Sequence, residues 1–313
     1  MASTTQKNKL FYCDAAKGYT IKVLIDVLAG SLSRSSFRLE KNGIFIKDAD
    51  PKKHMLFSIN LERERFRSFR CAKEMIFSLN LRHLQKMVRN VKKKDSMILF
   101  IDKSNPGKLG ISIRPESATS RSSSRIETMY ITIQNDSDNT LENFSLPEVY
   151  RSEEGEDIKV YGHPMVIEAP DFQKIKKFSS IGKEITVRMQ KSNFISFYCD
   201  SGEVYSDELS FGYIHDDDSE EDSSDESTND SSNEDSESNE DSSEIPNLYQ
   251  ADFYMSSFSL LVKLPGLCSQ MKFYAPKIDH FPLKIGMDAG RLGEINIFIK
   301  DIQQIAYEDS LPV

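Results

Sequence analysis

The chain has 313 residues, long enough for one large core or two of ordinary size, and 38% of them are hydrophobic, enough for globular structure. No apolar run nears the roughly 20 residues a membrane-spanning helix needs, and Met1–Lys9 is short and polar, so neither an anchor nor a signal peptide is expected. The formal charge of -9 misdescribes the foldable part: Asp216–Glu244 holds 15 acidic residues and no basic one, which leaves 34 acids against 40 bases elsewhere, close to +6.

In chain order, a disordered 1–9 should lead into a strand at Leu10–Cys13. A helix follows at Thr20–Ser31, with Ile21, Leu24, Ile25 and Leu28 at helical spacing, then strands at Ser36–Leu39, Gly43–Asp48 and Met55–Asn60. After a further strand at Arg65–Arg70 comes a helix predicted at Leu81–Lys92, with Asn80 as N-cap. On a helical wheel Leu81, Leu84, Val88 and Val91 share one arc, while Arg82, Lys86, Arg89 and Lys93 share the opposite one, without an acid among them. A row of like charges repels itself unless something negative and extended lies nearby, and a nucleic-acid backbone is the commonest such partner. Strands at Ser96–Asp102, Lys108–Arg114 and Glu127–Gln134 close the first half, around an exposed turn at Ser117–Arg125. The stretch 135–162 reads as a connecting loop, polar except for Leu141, Phe144, Leu146, Pro147, Val149 and Tyr150, and apolar residues there need something to lie on or to receive.

The second half reads as a strand at Pro164–Glu168, a helix at Pro170–Ser180 carrying Lys174, Lys176 and Lys177, and strands at Glu184–Gln190, Phe194–Cys199 and Glu208–Tyr213. An acidic insertion, 215–245, has no means of offsetting its ordering entropy and is expected to be disordered. Beyond it lie a strand at Tyr249–Phe253, a helical stretch from Ser256 to Leu264, strands at Met271–Ala275, Leu283–Met287 and Ile295–Ile299, and a tail, 303–313. The order strand, helix, three strands, helix, three strands thus occurs twice, which implies two similar domains, 10–134 and 163–302.

Catalytic and metal motifs are lacking. No phosphate-binding Gly-Lys-Ser/Thr loop, His-Glu-x-x-His or Gly-x-Ser-x-Gly occurs, the five histidines are scattered, and Cys13, Cys71, Cys199 and Cys268 form no Cys-x-x-Cys pair. No enzyme, cofactor or metal is expected, and the cysteines read as reduced thiols of an intracellular protein.

Three segments carry a family resemblance. TIKVLIDVLAGSLSRSSFRLEKNGIFIKDADPKKHMLFSINL at Thr20–Leu61, FSLNLRHLQKMVRNVKKKDSMILFI at Phe77–Ile101 and PLKIGMDAGRLGEINIFIKDI at Pro282–Ile302 resemble the eukaryotic-type DNA sliding clamp, proliferating cell nuclear antigen. The acidic insertion and the long central loop suit a divergent clamp, of the kind a large DNA virus would carry. The resemblance implies an α+β DNA clamp (processivity fold) of two similar domains, each with two helices packed on antiparallel sheets, three copies forming a ring around double-stranded DNA. Arg82, Lys86, Arg89 and Lys93 would face the duplex, joined by Lys17, Lys22, Lys174, Lys177 and Lys263. It further implies a pocket for a short motif of DNA polymerase and other replication or repair proteins, walled by His54, Met55, Leu141, Phe144, Leu146, Pro147, Tyr150, Phe298, Ile299 and Lys300. A separate ATP-dependent clamp loader would open the ring, in the nucleus or at a cytoplasmic viral replication site. Ring closure would pair Glu127–Gln134 of one copy with the strand near Glu203–Tyr213 of the next. Other readings are a monomeric clamp-fold processivity factor, a subunit of a hetero-trimeric checkpoint clamp and, from a different class, a histone-binding or chaperone-like protein acting through its acidic tract.

Overall fold

The computed structural model describes residues 8–115, 126–134, 146–151, 155–190, 194–202, 204–212 and 247–311. Alternation at Met55–Glu62 sets the pattern of the sheets: Met55, Phe57, Ile59 and Leu61 are buried, and the residues between them face outward. The first half runs β1 (Lys9–Ala15), α1 (Gly18–Ser31), β2 (Arg34–Leu39), β3 (Gly43–Ala49), β4 (Met55–Glu62), β5 (Ser68–Cys71), β6 (Met75–Asn80), α2 (Leu81–Val88), β7 (Ser96–Asp102), β8 (Asn105–Arg114) and β9 (Glu127–Thr132). A short hairpin follows, β10 (Val149–Arg151) with β11 (Asp157–Lys159). The second half runs β12 (Met165–Glu168), α3 (Ala169–Phe172), a 3-10 helix to Ser180, β13 (Glu184–Gln190), β14 (Phe194–Asp200), β15 (Ser206–Phe211), β16 (Asn247–Tyr254), α4 (Met255–Leu261), β17 (Gln270–Tyr274), β18 (Leu283–Asp288), β19 (Gly293–Ile299) and α5 (Ile302–Ser310).

All named strand pairs are antiparallel. Sheet orders are β5-β1-β7-β8-β9, β15-β14-β13-β16, and an eight-stranded β12-β17-β18-β19-β4-β3-β2-β6 that joins the two halves where β19 meets β4. That seam is tight, because a Cβ on Gly293 would stand 1.9 Å from the Asn60 carbonyl oxygen. Helices form one layer on the sheets, in the spatial order α2, α1, α4 and the 3-10 helix after α3. Gly30 lets α1 approach α4, since a Cβ there would lie 2.7 Å from Leu260.

The α+β architecture of two similar halves is the expected one, but several elements differ from the reading of the chain. Between their helices the halves hold five and four strands; the elements read along the chain place four in each, not the three of the summarised repeat, so only β6 is additional. Strand β6 went unread because Phe77, Ser78 and Leu79 are all buried and it runs into α2 without a turn. Arg65–Arg70 is not one strand, for Arg63–Arg65 form a 3-10 turn that tucks Phe66 inward before β5. Helix α2 stops at Val88, four residues early, and the buried Asp95 organises the turn beyond it by accepting the Lys92 N–H at 2.9 Å. Pro170–Ser180 is α-helical for one turn only. Phe172, Ile175 and Phe178, spaced by three and fully buried, make the single stripe of a 3-10 helix. The expected loop contains the β10–β11 hairpin, and the expected tail contains α5. The exposed turn at Ser117–Arg125 and the acidic insertion lie outside the described residues.

Candidate nucleic-acid face and partner groove

Helix α2 begins where Asn80 accepts the His83 N–H at 3.0 Å. Leu81, Leu84, Val88 and, one turn on, Val91 are buried. Arg82, Lys86, Arg89 and Lys93 are exposed, and none of the four pairs with an acid among the described residues. Lys93 stands in the turn after the helix. Along the same layer, Lys17 is exposed at the start of α1 and Lys263 just after α4.

Three other cations on this face are compensated. Lys22 is half-buried, with its Nζ 2.9 Å from Asp26, and the second oxygen of Asp26 accepts from Gln85 Nε2 at 3.0 Å, tying α1 to α2. Lys174 lies 2.8 Å from Asp171. Lys177 pairs with Asp207 on β15, and the hydrogen bond from its ammonium holds that carboxyl below the usual carboxylate range. The face therefore offers phosphate oxygens one uncompensated row in the first half, and in the second a set in which Lys174 and Lys177 are paired while Lys176 and Lys263 are exposed.

On the opposite side of the eight-stranded sheet, the pleat decides which residues face outward. Ile299 stands directly opposite Met55, and both are buried on the core face, so neither walls a surface pocket. Their neighbours Phe298 and Leu56, also directly opposite each other, face outward and are half-buried. The Phe298 ring lies 6.3 Å from Tyr161, whose hydroxyl donates to the Pro282 carbonyl at 2.9 Å and whose phenol is pushed up by burial. Lys284 Nζ sits over the rings of Tyr161, Tyr274 and Phe298. From the central hairpin, Tyr150 meets Phe281 edge-on at 6.4 Å, with Leu146 half-buried and Pro147 exposed nearby in sequence. His54 has its ring stacked on Tyr254 at 5.9 Å and its carbonyl bonded to the Lys300 N–H at 3.0 Å, while the Lys300 ammonium is engaged by Glu308. Leu141 and Phe144 lie outside the described residues.

Leu56, Tyr161 and Lys284 stand beside Phe298, and Phe281 beside Tyr150, and sequence reading named none of these four. Strand alternation was the signal for Leu56, since Phe298 and its cross-strand neighbour must share a face. Among the described residues no three His, Cys, Asp or Glu side chains gather as a metal site. Burial keeps the cysteines in the thiol form, raising Cys268 to about 11.

A layer of helices with a basic face, backed by antiparallel sheets in two similar halves, is the fold of the DNA sliding clamps. The crystal structure of the proliferating cellular nuclear antigen of Entamoeba histolytica superposes with a TM-score of 0.68 over 94% of this chain and 99% of that one, at 16% identity. Residues 11–139 match the family model for the proliferating cell nuclear antigen N-terminal domain. A DNA polymerase sliding clamp of Pyrococcus furiosus is 28% identical over 76 residues, 24% of this chain and 30% of its own length. Proliferating cell nuclear antigen 2 of Plasmodium falciparum is 23% identical over 180 residues, 57% of this chain and 63% of its own. The chain thus spans about a third to under two thirds of the length of these relatives; it has the sliding-clamp fold, and its first half is similar to the proliferating cell nuclear antigen N-terminal domain.

Proposed function

We propose that this chain is a DNA sliding clamp and polymerase processivity factor that works as a homotrimeric ring built from clamp domains 10–134 and 163–302. The observation that carries the reading is the row Arg82, Lys86, Arg89 and Lys93, paired with no acid among the described residues and set on the same layer as the other helices. Turned inward, that layer lines a channel. Contacts to phosphate carry no base information, so the ring slides without being pinned, and topology rather than affinity retains it on the duplex. Ring closure would use strand addition between edges: β9 and β15 each end a sheet, with Tyr130 exposed on one and Val204 and Tyr205 exposed beside the other. This head-to-tail contact is heterologous, the kind that closes a ring.

Such a molecule needs no reaction of its own. It raises the effective concentration of a bound polymerase at the primer end, and a separate ATP-driven loader opens it, in the nucleus or at a cytoplasmic viral replication site. The groove formed by Leu56, Phe298, Tyr161, Phe281 and Tyr150 would receive the aromatic plug of a short segment from the polymerase or another replication or repair protein. Sedimentation with and without DNA circles tests the assembly: a species near three times 35.7 kDa is expected, and a stable single-chain mass overturns the ring.

A further inference from the structure

Helix α5 is anchored to the wall of that groove. Asp301 and Gln304 form a reciprocal cap: Asp301 accepts the Gln304 N–H at 2.7 Å, and Gln304 Oε1 accepts the Asp301 N–H at 3.2 Å. The other end of the same amide is free to act elsewhere, and Gln304 Nε2 donates to the Phe281 carbonyl at 2.8 Å. Next to it, His280 has a φ of 69°, a left-handed conformation uncommon outside glycine, and its ring lies 5.5 Å from Tyr307 of α5. Ile305 is buried, and the helix otherwise borders a cleft of about 1080 Å³ against β16 and the β17–β18 loop. Phe281 is therefore held from behind by α5 while its ring meets Tyr150 in front.

We propose that α5 is a positioning strut for the partner groove, in which Gln304 and Tyr307 hold the β17–β18 loop so that Phe281 stands against Tyr150. This rests on the groove being the site for a partner peptide. Without the strut, the left-handed turn at His280 relaxes and the aromatic wall loosens, although no strut residue touches the peptide.

The test uses full-length chain and a fluorescent synthetic peptide presenting paired phenylalanines, read by anisotropy. Gln304→Glu keeps an acceptor for the helix cap but cannot donate to Phe281; ring mass should stay unchanged, and binding is read well below the variant's own melting temperature, where the chain is folded. Peptide binding should weaken about three- to tenfold, the scale of one net hydrogen bond. Tyr307→Ala should weaken it similarly, and Tyr307→Phe, which keeps the ring, should restore it. Unchanged or tighter binding by Gln304→Glu and Tyr307→Ala overturns the strut. Phe298→Asp reports on the groove itself: loss of binding there with no effect of the α5 variants defeats only the strut, whereas full binding by Phe298→Asp defeats both.

Discussion

The two halves place their helices on one continuous layer yet charge it differently. In the first half α2 presents Arg82, Lys86 and Arg89, with Lys93 just beyond, and no described acid answers them. In the second, two of the three lysines on the 3-10 helix, Lys174 and Lys177, are paired with Asp171 and Asp207, while Lys176 is exposed. A phosphate within a Debye length, about 8 Å at physiological salt, sees those pairs as dipoles and the first-half row as net charge. On the proposed reading, the net charge offered to a duplex is thus greater in the first half. The paired lysines form a reserve that can exchange partners, since exposed ion pairs are worth only about 0–1 kcal/mol.

The largest effect should come from reversing the free row. Lys86→Glu combined with Arg89→Glu is expected to abolish stimulation of a polymerase on long primed templates while the assembly mass stays the same; full stimulation would contradict an inward α2. Next comes the apolar stripe that aims this row. Leu84 is 2% exposed, and Leu84→Ala should cost about 2–5 kcal/mol in urea unfolding, visible as a lower midpoint at unchanged slope. The corresponding reversal in the second half, Lys174→Glu with Lys177→Glu, should reduce stimulation only in part. A loss equal to that of the first pair would erase the distinction between halves. Smallest is Asp171→Asn, which frees Lys174 and should raise the salt tolerance of DNA binding by less than about twofold, measured by titrating salt against DNA-bound protein.

Legibility followed the periodicities. The opposed arcs of α2 were readable because apolar and basic residues both recur at helical spacing over a run with a sound N-cap. The same logic misread Pro170–Ser180, where Phe172, Ile175 and Phe178 recur by three rather than by three and four, the mark of a tighter helix. Placing pocket walls by likeness assigned Met55 and Ile299 to the groove, but the pleat turns both to the core and brings Leu56 and Phe298 out. Helix α5 escaped notice because it buries one side chain, Ile305, and so has little apolar periodicity; its one clear signal was the Asp301-x-x-Gln304 cap. Tyr161 and Phe281 could not be assigned to the groove from spacing alone, because the pairing that gathers them is set by tertiary contacts across the β17–β18 loop.

Retention on closed DNA tests the central claim most directly. With the protein loaded by a clamp loader onto nicked circular duplex and challenged with high salt, an encircling ring should stay on the circle and be released once a single cut linearises it. Equal loss from circular and linear DNA at the same salt would contradict the account, because it would mean that charge alone, and not threading, holds this chain to its duplex.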